Sequence, residues 1–600
     1  MVTRRDLIKL GILGSGGFVL LPPGGGFGRV SSFFKDNQGS SPRLTPFVDE
    51  LPKFEVLTEV HTPFAPATIT PYARPYIGTG TRYFEIAAVE REVKFHKKLP
   101  LTSVWAYVDK NNPPASTNQQ LITFQFPPVV IGQPSGHGFL VRHHNFLTTA
   151  LRDFGHPTLT AHFHGGHQPA PADGFPADIT HRPADFPGHV VICPQGMVCC
   201  RSGEKPIRGV CPSGEAPHFF DYMYPLTDVG LQDFEAGRSP IRPTRDERPS
   251  FLWFHDHILD FTRTNVYRGL ANVVPVFDDL DTGDETTGLR LPSGAHDLPL
   301  VLQDKIFDTS GALIFDPFNG DGFLGDTMVV NGVVQPFHEV EQRKYRLRFL
   351  NGSNARIYQI YLTNDVVGQT FPMTMIATEG GLMAAPIRNV QTFTISMAER
   401  FEVVVDFADP IFNGQSAIYI ENRMAQSNGR KPDGVVRRGT KLLKFVLKGT
   451  PISTPEVPNV LRRFDAITDA ELSRAVRRSF KMDRSHGVFT INGEPIDIER
   501  PVGTPKLGQP ELWHIENSSG GWWHPNHIHS ELQRVIRRNG KQPPLSERDG
   551  NARKDTVLLR GGESVDVFLK FRDFTGPFVS HCHNIEHEDM AMMVRFDVVP

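Results

Sequence analysis

The chain has 600 residues, and its 24 histidines against 5 cysteines form an unusual ratio. Length allows roughly three or four domains, while 63 Lys and Arg against 66 Asp and Glu exclude a strong field for nucleic acid or a membrane surface. An apolar share of 39% excludes a disordered chain, and 54 glycines with 50 prolines exclude a helix bundle, because both residues spoil helix interiors.

Residues 1–40 read as a leader and linker. Arg4 and Arg5 precede a weakly apolar stretch to Leu21, shorter than the ~20 apolar residues of a membrane span. A twin arginine in that setting resembles a Tat export signal. A periplasmic or extracellular location without a stable membrane anchor is expected. From Pro22 to Ser41 the Gly/Ser-rich chain reads as a linker.

Short alternating apolar runs punctuated by Gly, Pro, Asn and Asp then recur to the C-terminus, as in β-sandwiches. A first sandwich is predicted over 41–280, a second over 281–450, a connection over 451–480 and a last sandwich over 481–600. Val329-Val330-Asn331-Gly332 precedes a strand ending at Asn351, and Thr490-Ile491-Asn492-Gly493 precedes one ending at Asn517. The echo marks related domains rather than a short-period solenoid.

Between His164 and His255 the chain is longer than sandwich strands require, and it carries Cys193, Cys199, Cys200 and Cys211. In an exported protein this cluster makes one or two disulfides, with a metal site as the alternative. Adjacent Cys199 and Cys200 are too strained to pair with each other, and the pairing otherwise stays open. The long segment covers part of a site or protects the chain, while the stretch from Ala425 to Thr440 reads as a solvated loop. A helix is predicted over 469–480, with Thr468 and Glu471 as a capping box and Leu472, Ala475 and Val476 on one face.

Histidine placement divides the chain more sharply than hydropathy. Between residues 281 and 480 stand only His296 and His338, and four His-x-His pairs lie outside: His162/His164, His255/His257, His527/His529 and His581/His583. Such pairs in two regions mark metal sites, although imidazole suits copper, iron, nickel and zinc alike. Cys582 narrows the choice. On an extended strand His581 and His583 face one side and Cys582 the other, so one strand serves two sites. A thiolate, imidazoles and a weak thioether such as Met592 form a blue-copper ligand set, and His524 can supply a further imidazole. Met590 reads as core or rim, and spacing from His587 favours Met592 over Met593.

These segments resemble the four copper-binding segments of the multicopper oxidases: His162-Phe163-His164-Gly165, His255-Asp256-His257, His524-Pro525-Asn526-His527-Ile528-His529 and His581-Cys582-His583 continuing to His587 and Met592. Phe47-Val48-Asp49-Glu50-Leu51-Pro52, Leu99 to Tyr107 and Thr262 to Leu270 resemble the spore-coat laccase and bilirubin oxidase branch, so the likeness spans most of 45–600. It implies an all-β fold of three cupredoxin-like Greek-key β-sandwich domains, with no copper in the middle one. It also implies four copper ions. The type 1 ion takes His524, Cys582 and His587, with Met592 as the long axial ligand. The type 2 ion takes His162 and His527, and the type 3 pair takes His164, His255, His257, His529, His581 and His583.

The same resemblance implies an oxidoreductase with oxygen as acceptor. A donor gives electrons at the edge of His587, which faces solvent in the family. Cys582 passes them to His581 and His583, and dioxygen is reduced to water. Asp173 and Glu588 match positions to which the family assigns proton supply. From the residues alone, Asp173-Gly174 is also an ordinary turn signal and Glu588 an ion-pair candidate. Thirteen methionines without a Met-rich tract favour phenols, aminophenols or bilirubin-like tetrapyrroles as donors over Mn(II) or Cu(I). An exported copper protein with a structural or electron-carrying role is the alternative outside enzymes. Dioxygen and a small donor are the expected partners, nucleic acid is not, and a monomer is expected.

Overall fold

A computed structural model describes residues 41–78, 80–112, 122–123, 137–147, 154–176, 192–193, 218–226, 228, 230, 244–485 and 487–600. The twin-arginine segment and Cys199, Cys200 and Cys211 lie outside the described residues. Cys193 is buried and disulfide-bonded.

The described chain is all-β with a few short helices. Its strands form three pairs of larger sheets. In the first pair, the four-stranded sheet runs Thr102–Asp109, Gly80–Val93, His137–Asn145, Phe219–Tyr224, and the three-stranded sheet runs Ala161–His164, Phe251–Asp256, Ala271–Pro275. A seven-stranded and a five-stranded sheet between Asp297 and Lys448 form the second pair. Five strands between Val476 and Leu569, and four between His524 and Val598, form the third. Each pair encloses its own apolar cluster, led by Phe84, Trp105 and Phe254, by Leu347, Phe349 and Ile418, and by Trp513, Val567 and Phe596.

The repeat seen twice in the sequence occurs three times in space. In each unit a strand ending in asparagine pairs in parallel with an earlier one: His137–Asn145 with Gly80–Val93, Lys344–Asn351 with Asp297–Lys305, and Glu511–Asn517 with Val476–Ser485. The closing asparagine is buried each time. Its Oδ1 accepts from the backbone N–H two residues on (Leu147, Ser353, Ser519), at 3.0–3.1 Å. Its Nδ2 donates to a carbonyl across the sandwich, that of Ile192, Ile395 or Leu559. An Asx-type turn thus satisfies the backbone where the strand stops, a role aspartate cannot fill because it lacks the donor.

Three expectations differ from the structure. The helix after Thr468 covers only Asp469–Arg474, although its capping box forms as expected. Val476–Ser485 is instead a strand whose Phe480 and Met482 point inward. Pairing with Glu511–Asn517 outweighs a helix that buries no residue, and the last sandwich therefore begins at 476. Residues 47–51 run between the first and middle units: Phe47 N–H donates to Gln335 O and Leu51 N–H to Phe337 O, while Asp49 Oδ2 accepts from Lys97 N–H at 3.0 Å. The stretch after Ala425 is largely exposed, but from Gly434 it is strand rather than loop, and Arg430 O accepts from Trp523 N–H at 2.9 Å.

The units share an apolar seam. Phe251, Trp253 and Val266 from the first, Val301, Leu350 and Ala398 from the second, and Ile585 from the third form one cluster. This seam brings the histidine-bearing strands of the first and last units face to face.

Candidate metal centre

Ala161–His164 pairs antiparallel with Phe251–Asp256, placing His162 opposite His255. His524–Ile528 pairs antiparallel with Gly576–Cys582, placing His527 opposite His581. Alternation along each strand turns histidines to one side and apolar residues such as Phe163 and Phe254 into the core. Across the seam eight buried histidines converge. His162 Nε2 and His527 Nε2 are 3.1 Å apart. His164 Nε2 lies 3.2 Å from His255 Nε2 and 3.0 Å from His583 Nε2. His581 Nε2 lies 3.2 Å from His529 Nε2 and 3.4 Å from His257 Nε2.

The hydrogen bonds of the other ring nitrogens test whether an ion belongs here. His162 Nδ1 donates to Asp173 O at 2.6 Å and His527 Nδ1 to Asp555 O at 2.8 Å. His255 and His581 donate likewise to Asp256 O and Cys582 O, at 2.8 and 3.1 Å. A carbonyl only accepts, so these Nδ1 atoms carry the proton and each Nε2 presents a lone pair. His162 and His527 therefore face each other lone pair to lone pair. Burial pushes the pKa of His527 far below the ordinary histidine range, with the neighbouring imidazoles adding to it, so protonation is a poor remedy. A cation shared between the nitrogens removes the conflict, and the residues fit one.

Cys582, on the opposite face of its strand, belongs to a second group. His524 Nδ1 lies 3.3 Å from Cys582 Sγ and 3.1 Å from His587 Nδ1, and Cys582 Sγ is 3.5 Å from His587 Nδ1. Met592 and Met590 both pack in the apolar cluster that holds Cys582, Met592 the more deeply buried, whereas Met593 joins a different one with Phe175 and Val579. Burial pushes the thiol of Cys582 well up and holds His524 at about 3. A soft cation offsets that resistance by stabilising the thiolate. Thiolate, two imidazoles and a nearby thioether suit copper among the first-row metals.

The predicted carboxylates both border the histidine cluster. Asp173 ends the turn Ala170–Ala172 and is fully buried. Its Oδ2 is 2.8 Å from His529 Nδ1, and its Oδ1 accepts from Gln168 Nε2 at 2.5 Å. Gly174 is required beside it, at φ +68 with Ala161 O only 2.2 Å from where a Cβ would stand. Glu588 bridges two rings, with Oε1 at 3.4 Å from His257 Nδ1 and Oε2 at 3.3 Å from His581 Nδ1. Burial raises the pKa of Asp173.

Sequence reasoning missed Asp555, Arg400 and Asp321. Asp555 Oδ2 lies 3.4 Å from His164 Nδ1 and 2.7 Å from Arg400 NH1, so the histidine-poor middle unit reaches the cluster through one guanidinium. No local motif announces either residue. The expected solvent-facing edge of His587 is also corrected: the residue is 0% exposed. Phe489 stacks on its ring at 3.7 Å, and its Nε2 donates to Asp321 O at 3.1 Å.

Residues 468–600 match the multicopper oxidase family profile. A laccase of Bacillus stratosphericus is 27% identical over 93% of this chain and 99% of its own length. A multicopper oxidase of Staphylococcus haemolyticus is 31% identical over 58% of this chain and 68% of its own length. The solved structure of a multicopper oxidase from the hyperthermophile Aquifex aeolicus superposes with a TM-score of 0.67 at 22% identity, covering 93% of this chain and all of that one. The paired sheets, the two donor groups and these likenesses converge: the chain belongs to the multicopper oxidase family, copper-dependent oxidases that use dioxygen as acceptor.

Proposed function

We propose that the protein couples one-electron oxidations of small aromatic donors to the reduction of dioxygen to water, using four copper ions. The arrangement that supports this is the coexistence of the His524–Cys582–His587 group with the eight-histidine cluster on opposite faces of one strand. His524, Cys582, His587 and Met592 would hold the type 1 ion, and His162 and His527 the type 2 ion. His164, His255 and His583 would hold one type 3 ion, and His257, His529 and His581 the other. Copper bound there supplies one-electron chemistry on the donor side and multi-electron chemistry with dioxygen on the other.

The protein's own part is positional. Cys582 is bonded through the backbone to His581 and His583, so the two groups share a continuous covalent path through adjacent residues. Carbonyls of Asp173, Asp555, Asp256 and Cys582 fix the tautomers and ring angles of their histidines. Asp173 Oδ2 holds His529, the Glu588 carboxylate stands within 3.4 Å of His257 Nδ1 and 3.3 Å of His581 Nδ1, and both carboxylates are placed to deliver protons at the cluster. A narrow cavity lined by His162, Gly165, His167, His529 and Glu531 opens beside the His162–His527 pair and serves exchange of dioxygen and water.

Export through the twin-arginine leader to the periplasm or beyond, and a monomeric state, complete the proposal. No helix among the described residues is long and apolar enough to cross a membrane. The test is copper loading of the purified protein, followed by oxygen uptake with phenols, bilirubin, Mn(II) and Cu(I). Near four coppers per chain and uptake driven by phenols are expected. A stoichiometry well below four would contradict the ligand assignment.

A further inference from the structure

We propose that the electron donor docks on a collar formed by Trp522, Arg430, Arg484 and the Asp321 loop, and that this collar selects anionic aromatic donors. The inference rests on the oxidase reading above and names its substrate class.

His587 cannot be touched from solvent. Phe489 covers one face of the ring, and Asp321 O caps Nε2. Two glycine loops of the middle unit close over it. Asn584 Nδ2 donates to Gly429 O at 3.3 Å and to Asp321 O at 3.4 Å. A Cβ on Gly429 would stand 2.2 Å from Gly322 O, and one on Gly322 2.9 Å from Gly429 Cα. The loops meet backbone to backbone, so the cover is a built surface that leaves no slot for a ring to reach the imidazole. The outer side of the Asp321 peptide is then one hydrogen bond from His587.

That outer side is a cationic aromatic surface. The Trp522 ring is half-buried and lies 4.6 Å from the Arg484 guanidinium and 5.1 Å from that of Arg430. Trp522 Nε1 donates to Asp321 Oδ1 at 3.2 Å, Arg430 Nε to Asp321 Oδ2 at 2.9 Å, and Arg484 NH1 lies 3.4 Å from Oδ1. One carboxylate thus faces two guanidiniums, and among the described residues it is the one acid paired with either. The surplus positive charge sits on Arg430, whose side chain is 50% exposed. Arg560, also exposed, lies 5.0 Å over the neighbouring Trp523.

An aromatic donor carrying a phenolate, carboxylate or sulfonate matches this surface. Its anion takes charge-assisted hydrogen bonds from a guanidinium fork, and its ring stacks along Trp522 and the arginine planes. A divalent cation finds the reverse. The carboxylate that would bind it is already held by two arginines and an indole N–H, and like charge repels it.

The test uses the copper-loaded protein with two donors sharing one ring, a sulfonated phenol and its uncharged parent, and the variants Arg430→Ala and Arg484→Gln. The ratio of kcat/KM for sulfonated over uncharged donor is expected to fall about tenfold in Arg430→Ala, carried by KM, with the blue absorption retained. A second readout needs no turnover: quenching of tryptophan fluorescence by redox-inert 2-naphthalenesulfonate, expected to weaken in both variants. A ratio within twofold of the parent protein in both variants, or undiminished naphthalenesulfonate binding, would overturn the proposal. If no donor drives oxygen uptake the oxidase reading fails instead, and the naphthalenesulfonate measurement still decides the collar.

Discussion

Arg400 and Asp555 form a buried ion pair at 2.7 Å where the middle and last sandwiches meet the histidine cluster. Asp555 uses its carbonyl to hold His527 and its carboxylate to approach His164, so one residue sets two rings of the cluster. Arg400 is fixed in turn by Phe251 O and Ala398 O, at 3.1 and 3.0 Å. Removing one member of a buried pair strands the other charge, at a cost of about 3–5 kcal/mol. Arg400→Met should lower the unfolding midpoint and broaden the paramagnetic resonance signal of histidine-bound copper, while the blue absorption stays. A midpoint and spectrum matching the parent protein would show that the pair neither stabilises nor positions.

The two-sided strand gives a separable outcome for Cys582→Ser. Serine is close in size and keeps the strand, but its hydroxyl is a far weaker copper ligand than a thiolate. Blue absorption and donor oxidation should vanish, while copper bound to the eight histidines remains countable at three per chain by the proposed assignment. Loss of all copper together would mean that the groups do not load independently.

Chelation should reveal how far the ions hold the units together. Lone pairs of His162 and His527 face each other at 3.1 Å, and the cluster spans the first and last units. A ligand bound only by the folded state stabilises it by about 4.1 kcal/mol at a thousandfold excess over Kd. Metal-free protein should therefore unfold at a markedly lower temperature, recovered on adding copper. Equal midpoints with and without copper would argue against ions at the seam.

The sequence carried the two donor groups because rare residues recur there at short spacings on strands, as in His162/His164 and His581-Cys582-His583. It carried the fold class because alternation and turn residues are local. The supporting residues were hidden for the opposite reason. Arg400, Asp321 and Asp555 act through single long-range contacts that leave no periodic trace, and an arginine in a strand pattern reads as solvent-facing. The family resemblance put the edge of His587 at solvent, and nothing near it in sequence shows that Gly322 and Gly429 close over it. The helix drawn through 475–480 failed where a capping box signals a start but not an end, and strand pairing took the remainder.

His143 gives a pH dependence away from the cluster. It is buried among Tyr107, Tyr222 and Phe254, and burial, then His144, lowers its pKa to about 3. The unfolded chain, near 6.5, binds the proton more readily. Stability from this group is complete above about pH 6.5, falls as the pH drops and is gone below about 3. At pH 5 the loss is about 2 kcal/mol. His143→Phe keeps a ring in the aromatic nest and should unfold with a flatter dependence between pH 7.5 and 5, read as denaturation midpoints. Parallel profiles for the two proteins would refute the assignment.

Asp173 separates proton supply from structure. Asparagine keeps its shape and can still accept from Gln168, but loses the negative charge facing His529 Nδ1 at 2.8 Å. If the carboxylate delivers protons at the cluster, Asp173→Asn should slow dioxygen consumption by about 10²-fold or more. The blue band should persist and bleach normally when donor is added without oxygen, because the Cys582 group lies on the other face of the strand. Reoxidation by dioxygen, followed as return of that band, should then be the slowed step. Turnover equal to the parent protein would leave Asp173 as the turn residue that its glycine neighbour also suggests.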